Sequence, residues 1–172
     1  MSRVLRVFLV CAAVGLVALT SAQAATSVVL DGSYAYAIIR SDFEGRCPAG
    51  TADECGVLNM IGLGPADYEY VYGPTFEPTG KKGCFYDDGT FTITLQSDGS
   101  TVSGPLSGVF CRPGNSGAQR GTPSYGNPQS DNDSIAFSGG TGQFAGLSGT
   151  AMFSEFTAGA YFKGVLKGTL SS

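Results

Sequence analysis

The chain has 172 residues, with 10 Lys and Arg against 14 Asp and Glu, 26 glycines, 5 cysteines and no histidine. The missing histidine excludes Ser–His–Asp and Cys–His nucleophile systems and His-ligated metal sites. The acidic balance, with Lys81-Lys82 the only adjacent basic pair, argues against nucleic acid and against anionic membrane as partners.

Residues 1–24 read as a secretory signal. Arg3 and Arg6 open it, Val7 to Leu19 is apolar, and Ala22-Gln-Ala24 supplies the small residues that signal peptidase needs. Cys11 lies within the apolar run, a poor place for a lipid anchor, and no second apolar run follows to span a membrane. Cleavage after Ala24 leaves residues 25–172 as one domain, in a secreted or periplasmic setting. Without Arg3 and Arg6, 8 basic side chains face 14 acidic ones, a net charge of −6.

Four cysteines remain: Cys47, Cys55, Cys84 and Cys111. An even number in an exported chain implies disulfides, and the absence of C-x-x-C and of histidine speaks against zinc. Four cysteines allow three connectivities. Cys47–Cys55 with Cys84–Cys111 is favoured, because the first pair closes a short loop through Pro48 and Gly50.

Beyond residue 24, alternation between glycine-rich turns replaces helical periodicity, the pattern of an all-β domain. Candidate strands are Ser27–Ile39, Cys55–Leu63 and Asp67–Tyr72. In the last, Tyr68, Tyr70 and Tyr72 share one face, either as the wall of a core or as contacts for a sugar or aromatic ligand. Next comes a hairpin. Phe91, Ile93 and Leu95 alternate with Thr92, Thr94 and Gln96, then Asp98-Gly99 predicts a two-residue type I′ turn. That turn pairs Ser97 with Ser100, Leu95 with Val102 and Phe91 with Leu106. Carried outward, it brings Cys84 and Cys111 to one face but diagonal, so that a bulge near Gly104, Pro105 or Gly108 is needed to oppose them. Arg112–Asp133, rich in Gly and Pro, reads as a long surface loop. Ser134–Ser138, Thr150–Phe156 and a last strand ending at Leu170 complete about eight strands, enough for a closed barrel. In the last strand Phe162, Gly164, Leu166, Gly168 and Leu170 share one face.

Gly139-Gly-Thr-Gly-Gln-Phe-Ala-Gly-Leu-Ser-Gly149 joins two of these strands. Gly140 to Ala145 matches G-x-G-x-x-A, but no βαβ unit surrounds it and only 23 residues follow Gly149, so a dinucleotide turn is rejected. The alternative is a tight corner with Phe144 plugging the end of a barrel. On Gly139, Gly140, Thr141, Gly142, Phe144, Gly146 and Gly149, and on the closing strand Gly164-Val-Leu-Lys-Gly-Thr-Leu170, the chain resembles the dirigent and allene-oxide-cyclase-like barrels in their exported bacterial form. The resemblance covers about the last quarter of the chain. It implies a single eight-stranded antiparallel β-barrel, often oligomeric, with room for small apolar molecules. It carries over no catalytic residue, and the four cysteines depart from it.

The paired carboxylates Asp42/Glu44, Asp53/Glu54, Asp87/Asp88 and Asp131/Asp133 read as solvated turn residues. Asp131-Asn-Asp133 lacks the Gly and distant Glu of a calcium loop. No cofactor and no metal is expected. The reading is therefore an exported, disulfide-stapled barrel that binds a small apolar ligand or a partner, with homo-oligomers within its scope. The alternatives are a cofactor-free isomerase or cyclase, with Tyr68, Glu69 or Asn59 pointing inward, and a structural envelope protein.

Overall fold

The computed structural model describes residues 26–37, 47, 52–74, 77–111, 129–158 and 161–172. Residues 1–24, Asp42 and Glu44 lie outside them. Eight strands follow in chain order: β1 (Ser27–Ala37), β2 (Glu54–Met60), β3 (Gly64–Tyr72), β4 (Cys84–Leu95), β5 (Thr101–Cys111), β6 (Gln129–Ser138), β7 (Ser148–Ala158) and β8 (Tyr161–Ser171). Each pairs antiparallel with the next, and β8 pairs with β1, so the sheet closes into an up-and-down barrel. Closure removes the sheet edges that an open eight-stranded sheet would expose. No described helix is long and apolar enough to cross a membrane.

Alternation along each strand sends one set of side chains inward. Leu30, Leu58, Ala66, Ile93, Leu95, Val102, Ile135, Phe137, Leu166 and Leu170 form an apolar core in the lower half of the barrel. The lower end is where β4 stops and β5 begins. There the corner 139–147 folds under the strands. A short 3₁₀ turn, Gly142–Phe144, pushes the Phe144 ring into the core with none of its surface exposed. The corner is bolted to the β4–β5 turn. Thr141 N–H donates to the Thr101 carbonyl at 2.8 Å, and Gln143 N–H donates to the buried Ser100 Oγ at 2.9 Å. Gly142 has φ 56°, and a Cβ there would overlap Ser100. The run is thus a structural corner that leads into a strand, and the plug expected from its sequence is in place.

The β4–β5 hairpin corrects the expected register. Thr94 pairs with Thr101, Ile93 with Val102 and Phe91 with Gly104. The Leu95 carbonyl accepts from Gly99 N–H, and Leu95 N–H donates to the Ser100 carbonyl, so the loop is the four residues Gln96 to Gly99. Asp98 stays outside, held by Gln143 Nε2 at 2.8 Å, in place of a two-residue turn. The shift is two residues, which preserves every side chain's face. It also places Cys84 directly opposite Cys111 with no bulge. Both disulfides are present, Cys47–Cys55 and Cys84–Cys111, with Cα separations of 5.5 and 4.0 Å. Two disulfides fit a non-cytoplasmic setting. The expected loop 112–133 ends earlier than its composition suggests, because β6 starts at Gln129.

One seam of the barrel is thin. β1 and β8 pair along the whole of β1, from Ser27 to Ala37, whereas the described β1–β2 register covers Gly32–Met60 and Ser33–Asn59, with Ile61 N–H donating to the Asp31 carbonyl at 2.8 Å beside them. Phe144 is the largest side chain in the lower plug, so Phe144→Ala is expected to destabilise the barrel by about 3–5 kcal/mol in urea unfolding. A loss below about 1 kcal/mol would show that the corner is not part of the core.

Candidate functional site

The upper half of the interior has different chemistry. Four aromatic rings form a floor across it. Tyr34 lies 5.3 Å from Tyr68, Tyr68 is 5.6 Å from Phe91, Phe91 is 5.0 Å from Phe153, and Phe153 is 6.1 Å from Tyr34, all between ring centroids. These rings come from β1, β3, β4 and β7. Around and above them are the buried carboxyl groups of Glu54, Asp87 and Asp133 and the half-buried Glu155.

Glycines on the inner wall decide where these side chains lie. Tyr34, Gly164 and Glu155 stand in one row across β1, β8 and β7. A Cβ at Gly164 would overlap the Tyr34 ring. The ring therefore lies flat across β8, and Tyr34 Oη donates a hydrogen bond to Glu155 Oε2 on the far strand. Tyr68 uses Gly56 in the same way, with its Cε1 2.7 Å from where that Cβ would be. Its hydroxyl donates to Glu54 Oε1 at 3.1 Å, and Tyr72 Oη reaches Glu54 Oε2 at 3.5 Å. Tyr70 lies over Gly89 and donates to the Asp88 carbonyl at 3.4 Å. A third row, Asp87–Gly108–Asp133, sets two buried carboxyl groups on either side of a glycine. Glycine next to a large neighbour fills a fixed interior volume without empty space.

Burial in this half raises the Glu155 carboxyl from the ordinary 4.5 to about 8, because the charged form loses its water. At neutral pH the group is therefore mostly the neutral acid. The described lysines, Lys81, Lys82, Lys163 and Lys167, are all exposed, so the inward-facing ionisable groups among the described residues are acids and tyrosines. No described group of three or more His, Cys, Asp or Glu side chains has the arrangement to hold a metal ion.

The candidate residues fall as follows. Tyr68 and Tyr70 are fully buried in the core wall and Tyr72 is half-buried at its upper rim. Of the residues expected inward for an isomerase, Tyr68 faces in, while Asn59 is exposed and Glu69 lies on the outer side of β3. The solvated-turn reading holds for Asp53, which is exposed and caps Tyr72 N–H at 2.8 Å. It fails for Glu54, Asp87 and Asp133, which sit on strands at inward positions. Turn-forming residue types stand at these positions, but strand alternation outranks composition there. Glu155 and Tyr34 were missed. Their signal was parity: Glu155 shares its face with Ala151 and Phe153, and Tyr34 shares its face with Leu30 and Gly32. The exposed wall carries a shallow groove at Thr150, Met152, Lys167 and Thr169, outside the barrel and on the opposite side of the wall from the carboxyl groups.

Two outcomes follow from this geometry. Gly164→Ala should cost about 1–3 kcal/mol by overpacking, and the cost should vanish in a Tyr34→Ala background, measured as a double-mutant cycle in urea. Glu155 also sets a pH dependence. Its contribution is whole below about 4.5 and is lost as pH rises through about 8, since the folded protein keeps a proton that the unfolded chain has released. Stability of the wild type relative to Glu155→Gln should therefore fall across that window; parallel curves would refute the assignment. No protein-family model matches this chain, and neither a curated protein nor a solved structure matches it.

Proposed function

We propose that this is an exported barrel that binds a small molecule in the tyrosine and carboxyl half of its interior. The observation that carries the reading is the placement of the acids. Burying ionisable groups costs free energy, and a barrel selected only for stability would fill these positions with apolar side chains, as the lower half does. Acids of this kind concentrate where a protein does chemistry or binds. The ligand expected from sequence was apolar. The aromatic floor suits an apolar or aromatic body, and the carboxyl groups add a demand for N–H or O–H donors, with a cationic amine the strongest of these. The signal-like residues 1–24 and the two disulfides support export. The closed eight-stranded barrel and its plugged corner are of the kind that the dirigent and allene-oxide-cyclase-like resemblance implies, and membership of that superfamily is part of the proposal.

One observation favours an isomerase or cyclase as the second reading. A neutral carboxylic acid, Glu155, stands beside a tyrosine hydroxyl, an arrangement able to give and take a proton without a cofactor. Recovery of a bound ligand chemically unchanged after prolonged incubation would exclude it.

The binding proposal is tested with two probes that share a ring and differ in charge. Tyramine is expected to raise the melting temperature of the disulfide-bonded protein and to shift the tyrosine ring signals of the upper half. 4-Hydroxyphenylacetate is expected to do neither. Stabilisation by the acid alone, or by neither probe, contradicts the proposed ligand chemistry.

A further inference from the structure

We propose that copies of this barrel associate side by side in an open-ended row: the outer wall of β7 and β8, apolar and basic, seats on the outer wall of β2 and β3 of the next copy, apolar and acidic. The inference concerns the outside of the barrel and goes beyond the binding proposal, which concerns the inside.

Strand parity sorts the outer wall as well as the core. On β7 and β8, Met152, Phe156 and Val165 face out and are exposed, and Lys163 and Lys167 stand on either side of Val165. Register gathers them into one patch. Phe156 is opposite Lys163, Ser154 is opposite Val165 and Met152 is opposite Lys167. Lys163 Nζ lies 5.9 Å from the centre of the Phe156 ring. The one acid of β7, Glu155, bonds the inward Tyr34, so the outward charges of these two strands among the described residues are both positive. On β2 and β3 the pattern returns with the opposite sign. Val57 is opposite Asp67, and Glu69 and Val71 continue the outward face of β3. The outward charges there are both negative.

The intervening wall is different. The outer faces of β5 and β6 carry Ser103, Pro105, Ser107, Ser134, Ala136 and Ser138, with no charge and no large exposed apolar side chain among the described residues. Two apolar patches of opposite charge therefore stand apart on the surface. Their lengths match, since Lys163 to Lys167 and Asp67 to Val71 each span four residues, about 13 Å along a strand. A shallow groove beside Met152 and Lys167 offers a seat for a valine of the neighbour. Lys167 reaches Asp31 at 3.9 Å, but both side chains are well exposed, so that pair competes weakly with a carboxylate from another copy.

Charge makes the choice of face. Beyond residue 24 the chain has 8 basic and 14 acidic side chains, a net charge of −6, so copies repel in most orientations. The β7–β8 wall laid on the β2–β3 wall reverses the sign locally and desolvates apolar side chains on both partners. Each wall is two or three strands wide, about 10–15 Å. The contact is therefore smaller than the about 800 Å² per partner of a standard interface, and association is weak and reversible. β3 and β7 are four strands apart in either direction round the ring. Complementary patches on opposite sides of one molecule leave a free patch at each end of any pair, so the row grows and does not close at two.

Sedimentation velocity of the disulfide-bonded protein, from about 10 µM to about 1 mM, tests this. The weight-average sedimentation coefficient is expected to rise with concentration and pass the dimer value without a plateau. Lys163→Ser with Lys167→Ser removes one patch, and Asp67→Asn with Glu69→Gln removes the other. Each variant is expected to associate about tenfold or more weakly than the wild type. An equimolar mixture of the two variants should regain association but stop at a one-to-one pair, because only one intact contact remains in it. A wild type that stays monomeric, a plateau at the dimer, variants that associate as the wild type does, or a mixture that regains nothing overturns the proposal. Should a variant fail to fold, carbodiimide cross-linking of mixed isotope-labelled and unlabelled wild type decides. Links from Lys163 or Lys167 of one chain to Asp67 or Glu69 of another sustain the row, and their absence overturns it.

Discussion

A closed eight-stranded barrel has a fixed interior, and the rest of this structure follows from how that volume is filled. Every inward position must be occupied, either by its own side chain or by a neighbour's. In the lower half, branched and aromatic side chains and the Phe144 plug do this with apolar atoms. In the upper half, inward glycines create vacancies that tyrosine rings from adjacent strands fill by lying sideways. A ring that lies sideways carries its hydroxyl onto the neighbouring strand, and for Tyr34 across that strand to the next. The Gly164 vacancy is thus the reason that Tyr34 meets Glu155, and the Gly56 vacancy is the reason that Tyr68 meets Glu54.

This arrangement links stability to function. The aromatic floor is core, and removing it would cost several kcal/mol. Its upper side is also the surface against which the carboxyl groups stand. The same rings therefore close the barrel and present hydroxyls to the acids. A carboxyl group held neutral by burial and a tyrosine laid across an inward glycine onto it are parts of one packing solution.

Much of the fold was legible in the sequence. The barrel of about eight strands, the export-type disulfide pairs, the Phe144 corner and the inward face of the last strand all follow from period-2 alternation and turn chemistry. The hairpin register was legible only to within two residues. Asp98-Gly99 signals a turn, but the four-residue loop goes with contacts from Gln143 to Asp98 and Ser100, which tie the turn to a corner 45 residues from Asp98 in the chain. The site was less legible. Glu54, Asp87 and Asp133 sit among turn-forming neighbours, so composition pointed outward where strand parity pointed inward. The Tyr34–Glu155 contact spans 121 residues, and only barrel closure through β8 brings its partners together.

The central claim is that inner-wall glycine places Tyr34 on a half-buried Glu155 that its surroundings keep neutral. A crystal structure of the disulfide-bonded protein grown near pH 6 tests it most directly. The account predicts the Tyr34 ring flat over Gly164 with its hydroxyl on the Glu155 carboxyl group. A Glu155 side chain turned out to solvent, or a Tyr34 ring standing away from Gly164, would contradict it.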